Sequence, residues 1–186
     1  MKIIIGLGNP GKEYVATRHN VGFLFLDKLQ EGYSLPDFAF NKNFNAEISK
    51  GAIDGVEVIL VKPQTFMNLS GETVRTILGF YKLTPDDIMI LHDDMDIAFG
   101  RYKIATNSSS AGHNGVQHII EKLGTQNFHR LRVGIGPERG TQEDGQPQCR
   151  LGAHDFVLGK FTSDELGALT QLQKDIKQEV EKFIVL

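Results

Sequence analysis

Runs of apolar residues without polar interruption predict strands that are covered on both faces. Three such runs and one alternating segment predict strands at residues 2–5, 56–61, 88–91 and 131–135. Two shorter candidates lie at residues 44–49 and 101–105. Residues 51–55 contain two glycines and an aspartate, so we expect a hairpin turn between the strand at 44–49 and the strand at 56–61.

Apolar residues that recur every three or four positions predict four helices, whose apolar faces begin at Val21, Val74, Val116 and Leu169. Asn20 and Asn114 are positioned as N-caps, Pro85 closes the second helix, and Thr162 with Glu165 fits a capping box. Residues 136–155 lose all periodicity and are rich in glycine and glutamine. They predict a long mobile loop.

The alternation of strands with helices indicates an α/β fold. Because the early hairpin adds an antiparallel pair, we expect a mixed, mostly parallel, twisted sheet flanked by helices. A length of 186 residues with 40% hydrophobic residues suits one domain that spans residues 1–186.

Cysteine content and hydropathy bear on the cellular compartment. The single cysteine, Cys149, excludes an internal disulfide framework and fits a reducing environment. Met1 leads directly into a predicted strand, and no apolar run approaches the length of a membrane span. We therefore expect a cytoplasmic protein without membrane contact, and nothing in the sequence demands more than a monomer.

The distribution of charge changes the picture that net charge alone would give. A net charge of −3 argues against a general nucleic-acid binder. Between residues 101 and 132, however, five basic residues face one acidic residue, Glu121. This segment suits a ligand that is contacted through a few phosphates, although an ordinary solvated surface would show the same composition.

The spacing Gly6-x-Gly8-x-x-Gly11 after a strand matches the fingerprint of dinucleotide-binding proteins, so that function is an alternative. The surrounding sequence does not support it. No helical face opens at the glycines, and a turn-like stretch at residues 31–36 stands where an acidic ribose ligand should end a second strand.

Several polar residues beside the predicted strands carry suitable chemistry for hydrolysis. An unperturbed imidazole titrates at about 6.5 and can act as a base near neutral pH, which makes the histidine at position 19 the candidate base. Asp93, after the strand at 88–91, could accept a hydrogen bond from one of its ring nitrogens. Each residue also has a structural explanation, since Asp93 suits a turn, Asn68 and Asn114 suit helix caps, and Met67 suits core packing.

Other hydrolytic chemistries fit less well. Ser108, Ser109 and Ser110 lack a nucleophile elbow, and no nucleophile signature surrounds Cys149. Possible metal ligands occur at His92, Asp93, Asp94, Asp96 and His113, but without the spacing of a known metal motif. We therefore expect neither a metal nor another cofactor.

A specific resemblance emerges when the motifs are taken together. The segment Gly6-Leu7-Gly8-Asn9-Pro10-Gly11-x-x-Tyr14-x-x-Thr17-Arg18-His19-Asn20-x-Gly22 resembles the amino-terminal signature of bacterial-type peptidyl-tRNA hydrolases. Later blocks are similar to that family in the same order: 62–71 (KPQTFMNLSG), 92–96 (HDDMD), 112–115 (GHNG) and 127–136 (NFHRLRVGIG).

The resemblance implies a peptidyl-tRNA hydrolase-like fold and metal-independent hydrolysis of the ester between peptide and tRNA, which frees tRNA for reuse. It makes His19 the catalytic base and Asp93 its partner. It also implies contacts with the peptide or the 3′ end of the substrate from Asn9, Tyr14, Met67, Asn68, His113 and Asn114. Lys103 and Arg132 are then the candidates for phosphate contacts near the acceptor end of the tRNA.

Two segments depart from the family pattern. Residues 107–111 read Asn-Ser-Ser-Ser-Ala where relatives usually carry a glycine-rich run, so we expect a more restricted backbone there. The loop at 137–155 also looks longer than usual. An RNA-binding protein that keeps the fold but lacks activity is the main alternative, and the intact set of His19, Asp93 and asparagines disfavours it.

Overall fold

The computed structural model describes residues 1–136 and 152–186. Its centre is a seven-stranded mixed sheet in the order β2-β3-β4-β1-β5-β7-β6. The strands are β1 (Lys2–Gly6), β2 (Ala39–Asn41), β3 (Ala46–Ile53), β4 (Val56–Pro63), β5 (Ile88–Ala98), β6 (Tyr102–Ala105) and β7 (His129–Gly136). The neighbours β4, β1, β5 and β7 run parallel, while β2, β3 and β6 add antiparallel pairs at the edges. The predicted fold class is confirmed.

Five helices flank the sheet in the described part of the chain: α1 (Val21–Gly32), α2 (Ser70–Tyr81), α3 (Asn114–Leu123), α4 (Ala153–Leu158) and α5 (Ser163–Ile184). None of them is both long enough and apolar enough to cross a bilayer. The capping box before α5 is confirmed, since Thr162 and Glu165 exchange side-chain to backbone hydrogen bonds. The helix α2 ends at Tyr81, and its C-cap Lys82, three residues before Pro85, adopts the left-handed conformation.

The apolar runs bury alternate side chains into two layers. Ile4 of β1 packs in the layer that contains α1 and α5, whereas Ile3 and Ile5 pack in the layer that contains α2 and α3. Because both faces of the central strands are covered, the sequence there shows no polar alternation.

Two details of the sheet differ from the predictions. The hairpin turn is confined to Asp54 and Gly55, both with positive φ, so β3 continues through Gly51. A two-residue turn of this kind matches the twist of its strands and leaves the remaining residues in the ladder. The sequence analysis also missed β2, because this three-residue edge strand carries no apolar run.

The cap predictions were also partly wrong. Asn20 precedes α1, but its side chain bonds the backbone of Asn9 and makes no cap. His113, not Asn114, caps α3. The predicted loop at 136–155 ends in α4, whose first residue is Ala153, and the mobility predicted for residues 137–151 lies outside the described residues.

The strand β5 is longer than its apolar run and shapes the space where β1 ends. The pairing of β1 with β5 stops at Gly6 and Leu91, whereas β5 continues beside β7. Asp93 therefore lies inside a strand, which excludes the alternative that it is a turn residue. Because β5 extends beyond its neighbour, polar side chains after Leu91 border an open space at the carboxyl edge of the parallel strands, where α/β sheets bind ligands.

Candidate active site

A cavity of about 800 Å³ opens at this edge of the sheet. It brings together most of the residues that the sequence singled out, namely Asn9, Tyr14, His19, Met67, Asn68, Asp93, His113 and Asn114. Lys103 and Arg132 are not part of its lining.

Three hydrogen bonds hold Asn9 in place beside the cavity. Its backbone N–H donates to Asn20 Oδ1 at 2.8 Å, and its carbonyl accepts from Asn20 Nδ2 at 2.9 Å. Its side-chain Oδ1 accepts from the backbone N–H of Met67 at 2.8 Å. Because Oδ1 is occupied, the amide orientation is set, and the two N–H groups of Nδ2 are left as donors beside the cavity.

His19, Asp93 and His113 form a compact cluster around one carboxylate oxygen. His19 Nδ1 lies 2.8 Å from Asp93 Oδ1, and His113 Nε2 lies 3.0 Å from the same atom. The side chain of Asp93 is 2% exposed. An ionised carboxylate only accepts hydrogen bonds, so each of these ring nitrogens carries its hydrogen when the histidines are neutral.

The hydrogen positions decide what each histidine can do. With its hydrogen on Nδ1, neutral His19 keeps a lone pair on Nε2, which makes Nε2 available to accept a proton. His113 Nδ1 accepts a hydrogen bond from the Val116 amide at 3.3 Å, which matches a hydrogen on Nε2. His19 is therefore suited to be a base, while His113 is occupied on both nitrogens.

The charge of Asp93 is maintained by its neighbours. Burial alone would raise the pKa of this carboxyl group, but the adjacent His113 and His19 outweigh burial and hold the pKa of Asp93 well below its usual range. Asp93 is thus ionised at neutral pH. It can stabilise an imidazolium that forms next to it.

His92 belongs to the same cluster but behaves differently. Its Nδ1–H donates to the backbone carbonyl of Asp93 at 2.7 Å, and its ring stacks edge-on against His113 with centroids 4.7 Å apart. Burial and the neighbouring His113 keep the pKa of His92 well below its ordinary value. His92 is therefore neutral, and its Nε2 is buried without a partner among the described residues. The sequence analysis treated it only as a possible metal ligand.

His19, Asp93 and His113 also lie close enough together to hold a metal ion, since one ligand atom from each lies within 4.8 Å of the others. The hydrogen bonds oppose this use. His113 Nε2 could bind a metal only after losing its hydrogen, and its other nitrogen already accepts from Val116. Metal binding would thus require either an anionic imidazolate or a broken helix cap, so the donor set fits a metal poorly.

The remaining predicted contacts line the rim. Tyr14 is half-buried, while Asn68 and Asn114 are exposed. Neither asparagine occupies an N-cap position, which is taken by Leu69 for α2 and by His113 for α3. Met67 is 5% exposed and packs in the core beneath α2 and α3 while also bordering the cavity.

Further lining residues were not predicted to contact the substrate. Phe66, 58% exposed, precedes Met67, and Met95 and Asp96 continue along β5. One helix, α4, contributes Ala153, His154, Val157 and Leu158. The sequence carried no periodic signal for α4, because a helix of six residues is too short to show one.

The predicted basic segment does not form one continuous surface. Arg130 is buried, with its guanidinium donating to the backbone carbonyls of Ser108 and Ser109. Arg132 pairs with Asp94 at 2.6 Å, and Lys122 pairs with Glu72 at 2.5 Å. Lys103, directly opposite Arg132 in the β6–β7 ladder, is exposed.

These contacts define what the site can do. It holds the His19 imidazole, whose Nε2 has no hydrogen-bond partner among the described residues, the ionised Asp93 on the other side of that ring, and asparagine amides in the cavity lining. This combination supports attack of water on a carbonyl group and stabilisation of the resulting oxyanion.

Comparison with known proteins agrees with that chemistry. A family model described as peptidyl-tRNA hydrolase matches residues 3–185. The chain is 50% identical over 161 residues to a peptidyl-tRNA hydrolase of Brevibacillus brevis, which covers 87% of this chain and 79% of the relative. It is 44% identical over 178 residues to that of Desulfitobacterium hafniense, covering 95% and 90%. The crystal structure of peptidyl-tRNA hydrolase from Acinetobacter baumannii superposes with a TM-score of 0.86 at 35% identity, covering 99% of this chain and 88% of the other.

Proposed function

Because the chain belongs to the peptidyl-tRNA hydrolase family and hydrolyses the ester bond between peptide and tRNA, we propose that His19 is the general base of this reaction and that Asp93 orients it. The observation that carries the proposal is the 2.8 Å hydrogen bond between His19 Nδ1 and the buried, ionised Asp93. This bond directs the lone pair of Nε2 away from Asp93, where a water molecule can donate to it.

The reaction then follows ordinary acyl-transfer steps. His19 Nε2 takes a proton from water as the water oxygen attacks the ester carbonyl. Asn9 Nδ2 donates to the oxygen that becomes negative, and the charge of Asp93 stabilises the imidazolium of His19. When the tetrahedral intermediate collapses, His19 returns the proton to the ribose oxygen that leaves. No step requires a metal or a cofactor.

The rim residues bind the rest of the substrate in this proposal. Asn68 and Asn114 offer exposed amides that both donate and accept, which suits recognition of a peptide bond. Tyr14 and Met67 contact the peptide or the terminal nucleotide. His113 borders the same space but is held by Asp93 and Val116, which favours a positioning role over proton transfer.

The tRNA itself extends beyond the cavity. Lys103 and Arg132 share one face of the β6–β7 ladder outside the cavity, which supports the proposal that they contact phosphates of the acceptor end. We further propose that the protein acts as a cytoplasmic monomer, since one chain supplies every group of the mechanism.

The test is release of the peptide from an N-acetylaminoacyl-tRNA by the wild type and by His19→Ala, with tRNA affinity and melting temperature as controls for folding. Loss of a general base should reduce kcat by about a hundredfold to ten-thousandfold. Activity that survives EDTA and requires the acetylated amino group would support the proposal. Unchanged turnover in His19→Ala would remove His19 as the base, and tRNA binding without release by the wild type would favour the inactive RNA-binding protein.

A further inference from the structure

Arg18, the residue before His19, joins the catalytic segment, residues Arg18–Asn20, to the carboxyl-terminal part of the chain. Its backbone N–H donates to the carbonyl of Gly159 at 2.9 Å, and its Nη1 donates to the carbonyl of Lys160 at 3.1 Å. Its Nη2 donates to both carboxylate oxygens of Glu165, at 2.9 and 3.1 Å. One side chain thus binds the residues that immediately follow α4 and the first turn of α5.

The partners are partly removed from solvent, which strengthens their interaction. The side chains of Arg18 and Glu165 are 16% and 26% exposed. The Arg18 guanidinium also lies over the ring of Phe156 in α4, with its central carbon 4.9 Å from the ring centroid. At Gly159 a Cβ atom would lie 2.8 Å from Arg18 Nη1, so a larger residue would crowd the guanidinium.

The helix that Arg18 touches forms a wall of the active-site cavity. Val157 and Leu158 of α4 line the cavity, and Phe156 on the same helix contacts Arg18. A helix of six residues is too short to be stable by itself, so its position depends on contacts of this kind. Arg18 therefore connects the wall to the turn that carries His19.

We propose that Arg18 is a positioning residue that holds the α4 wall against the catalytic segment and so confines the first side chain of the peptide. The inference rests on the proposed function of the site. Arg18 acts on substrate binding through α4, while Asp93 separately orients His19. Loss of the Arg18–Glu165 contact should accordingly raise KM with little change in kcat.

The test compares two pairs of matched variants on N-acetylphenylalanyl-tRNA and N-acetylglycyl-tRNA. Glu165→Gln removes the charge that Arg18 binds, whereas Thr162→Ala removes the cap hydroxyl of the same helix and leaves Arg18 paired. Gly159→Ala crowds Arg18, whereas the Cβ that Gly152→Ala adds has no atom of the described residues within 4 Å.

We expect Glu165→Gln and Gly159→Ala to raise KM by about threefold to tenfold, the range that a partly buried ion pair with its hydrogen bonds supplies. The increase should be larger for the phenylalanyl substrate, because its ring would contact Val157 and Leu158. Thr162→Ala should lower the melting temperature and keep the wild-type KM, and Gly152→Ala should do neither.

The outcomes separate this inference from the proposed function. If the wild type released no peptide from either substrate, the proposed function would fail. If the wild type is active and the KM of Glu165→Gln and Gly159→Ala equals the wild-type value, or if Thr162→Ala raises KM equally, Arg18 has only a structural role and the inference is overturned.

Discussion

Asp93 Oδ1 accepts hydrogen bonds from the imidazole rings of His19 and His113. These two bonds determine which nitrogen of each ring remains available for other interactions. The carboxylate fixes the hydrogen of each ring on the nitrogen that faces it. His19 then has a free nitrogen toward the cavity, whereas the other nitrogen of His113 is used by the Val116 amide. The two histidines share an anion, and only His19 is available as a base.

Replacing the Asp93 carboxylate by a neutral amide tests the difference in role between His19 and His113. Asp93→Asn keeps an oxygen that can accept from both rings but removes the charge that, in the proposed mechanism, stabilises the His19 imidazolium. A hydrogen bond to a charged group contributes more than a neutral one, and we expect kcat to fall roughly tenfold to a hundredfold with KM nearly unchanged. Single-turnover rates on N-acetylaminoacyl-tRNA measure the effect. A rate within a factor of about two of the wild type would show that the charge of Asp93 has no part in catalysis.

His92 gives the cluster a dependence of stability on pH. The folded protein holds the pKa of His92 well below its ordinary value, whereas the unfolded chain binds a proton at about 6.5. Below that pH the unfolded state binds the additional proton, so stability falls as the pH falls, by at most about 1.4 kcal/mol per pH unit from this group.

Replacing His92 by Asn should remove this dependence, since the amide keeps a donor near the position of Nδ1 and does not titrate. Urea unfolding of both proteins at pH 7 and pH 5 gives the two free energies of unfolding. We expect the wild type to lose more stability than the variant over this interval. Parallel losses would mean that His92 is protonated in the folded protein or does not titrate differently in the two states.

At Gly22 of helix α1, neighbouring backbone atoms occupy the space that a side chain would need. The packing of α1 onto β1 therefore depends on this glycine. A Cβ on Gly22 would lie 2.5 Å from Leu7 N, just after β1, and 2.5 Å from Leu91 O, within β5, and both are backbone atoms. Gly79, in the last turn of α2, instead has no described atom within 4 Å of the Cβ position. The two helical glycines therefore predict opposite responses to alanine.

Gly22→Ala should destabilise the protein by about 1 to 3 kcal/mol or more, as expected for overpacking against atoms that cannot rotate away. Gly79→Ala should stabilise it by about 0.5 to 1 kcal/mol, because alanine is the better helix former. Thermal melting of the matched pair measures both effects. Similar small changes of the melting temperature in the two variants would contradict a rigid contact between α1 and the backbone at Leu7 and Leu91.

Some strands and helices can be predicted from the sequence, whereas some helix caps and very short helices cannot. Apolar runs such as Ile3–Ile5 determine central strands directly, because burial on both faces leaves no room for polar residues. Caps were harder to predict: Asn20 satisfies the local rule for an N-cap, yet its amide is bound to Asn9, eleven residues away. Helix α4 contacts Arg18 through Phe156, and its six residues are too few to show a periodic pattern.

For the whole molecule, the positions of the site residues could be anticipated only because several motifs occur together. His19 and Asp93 are 74 residues apart, and their contact follows from β5 continuing past the end of β1, which no local pattern reveals. The charge pattern misled in part, because it could not show that Arg130 is buried or that Arg132 is paired with Asp94.

If Lys103 and Arg132 bind tRNA phosphates as proposed, their contribution can be separated from the ester chemistry by the choice of substrate, because neither side chain lines the cavity. Arg132→Ala should raise KM for N-acetylaminoacyl-tRNA more than it lowers kcat, and it should reduce the slope of log KM against log salt by roughly 0.7 to 0.9 if one phosphate contact is lost. The exposed partner in the ladder, Lys103, provides an independent variant, Lys103→Ala, with the same expectation.

A small ester, N-acetylaminoacyl adenosine, keeps the scissile bond but has no phosphate for either side chain to bind. On this substrate the kcat/KM of Arg132→Ala should equal that of the wild type, although both values will be far lower than with tRNA. The control is His19→Ala, which should lose activity on both substrates because it acts at the ester. If Arg132→Ala were equally impaired on the small ester, the cause would be its partner Asp94, which lines the cavity and would be left without its ion pair. Arg132 would then act by holding Asp94 in place and not through phosphates of the tRNA.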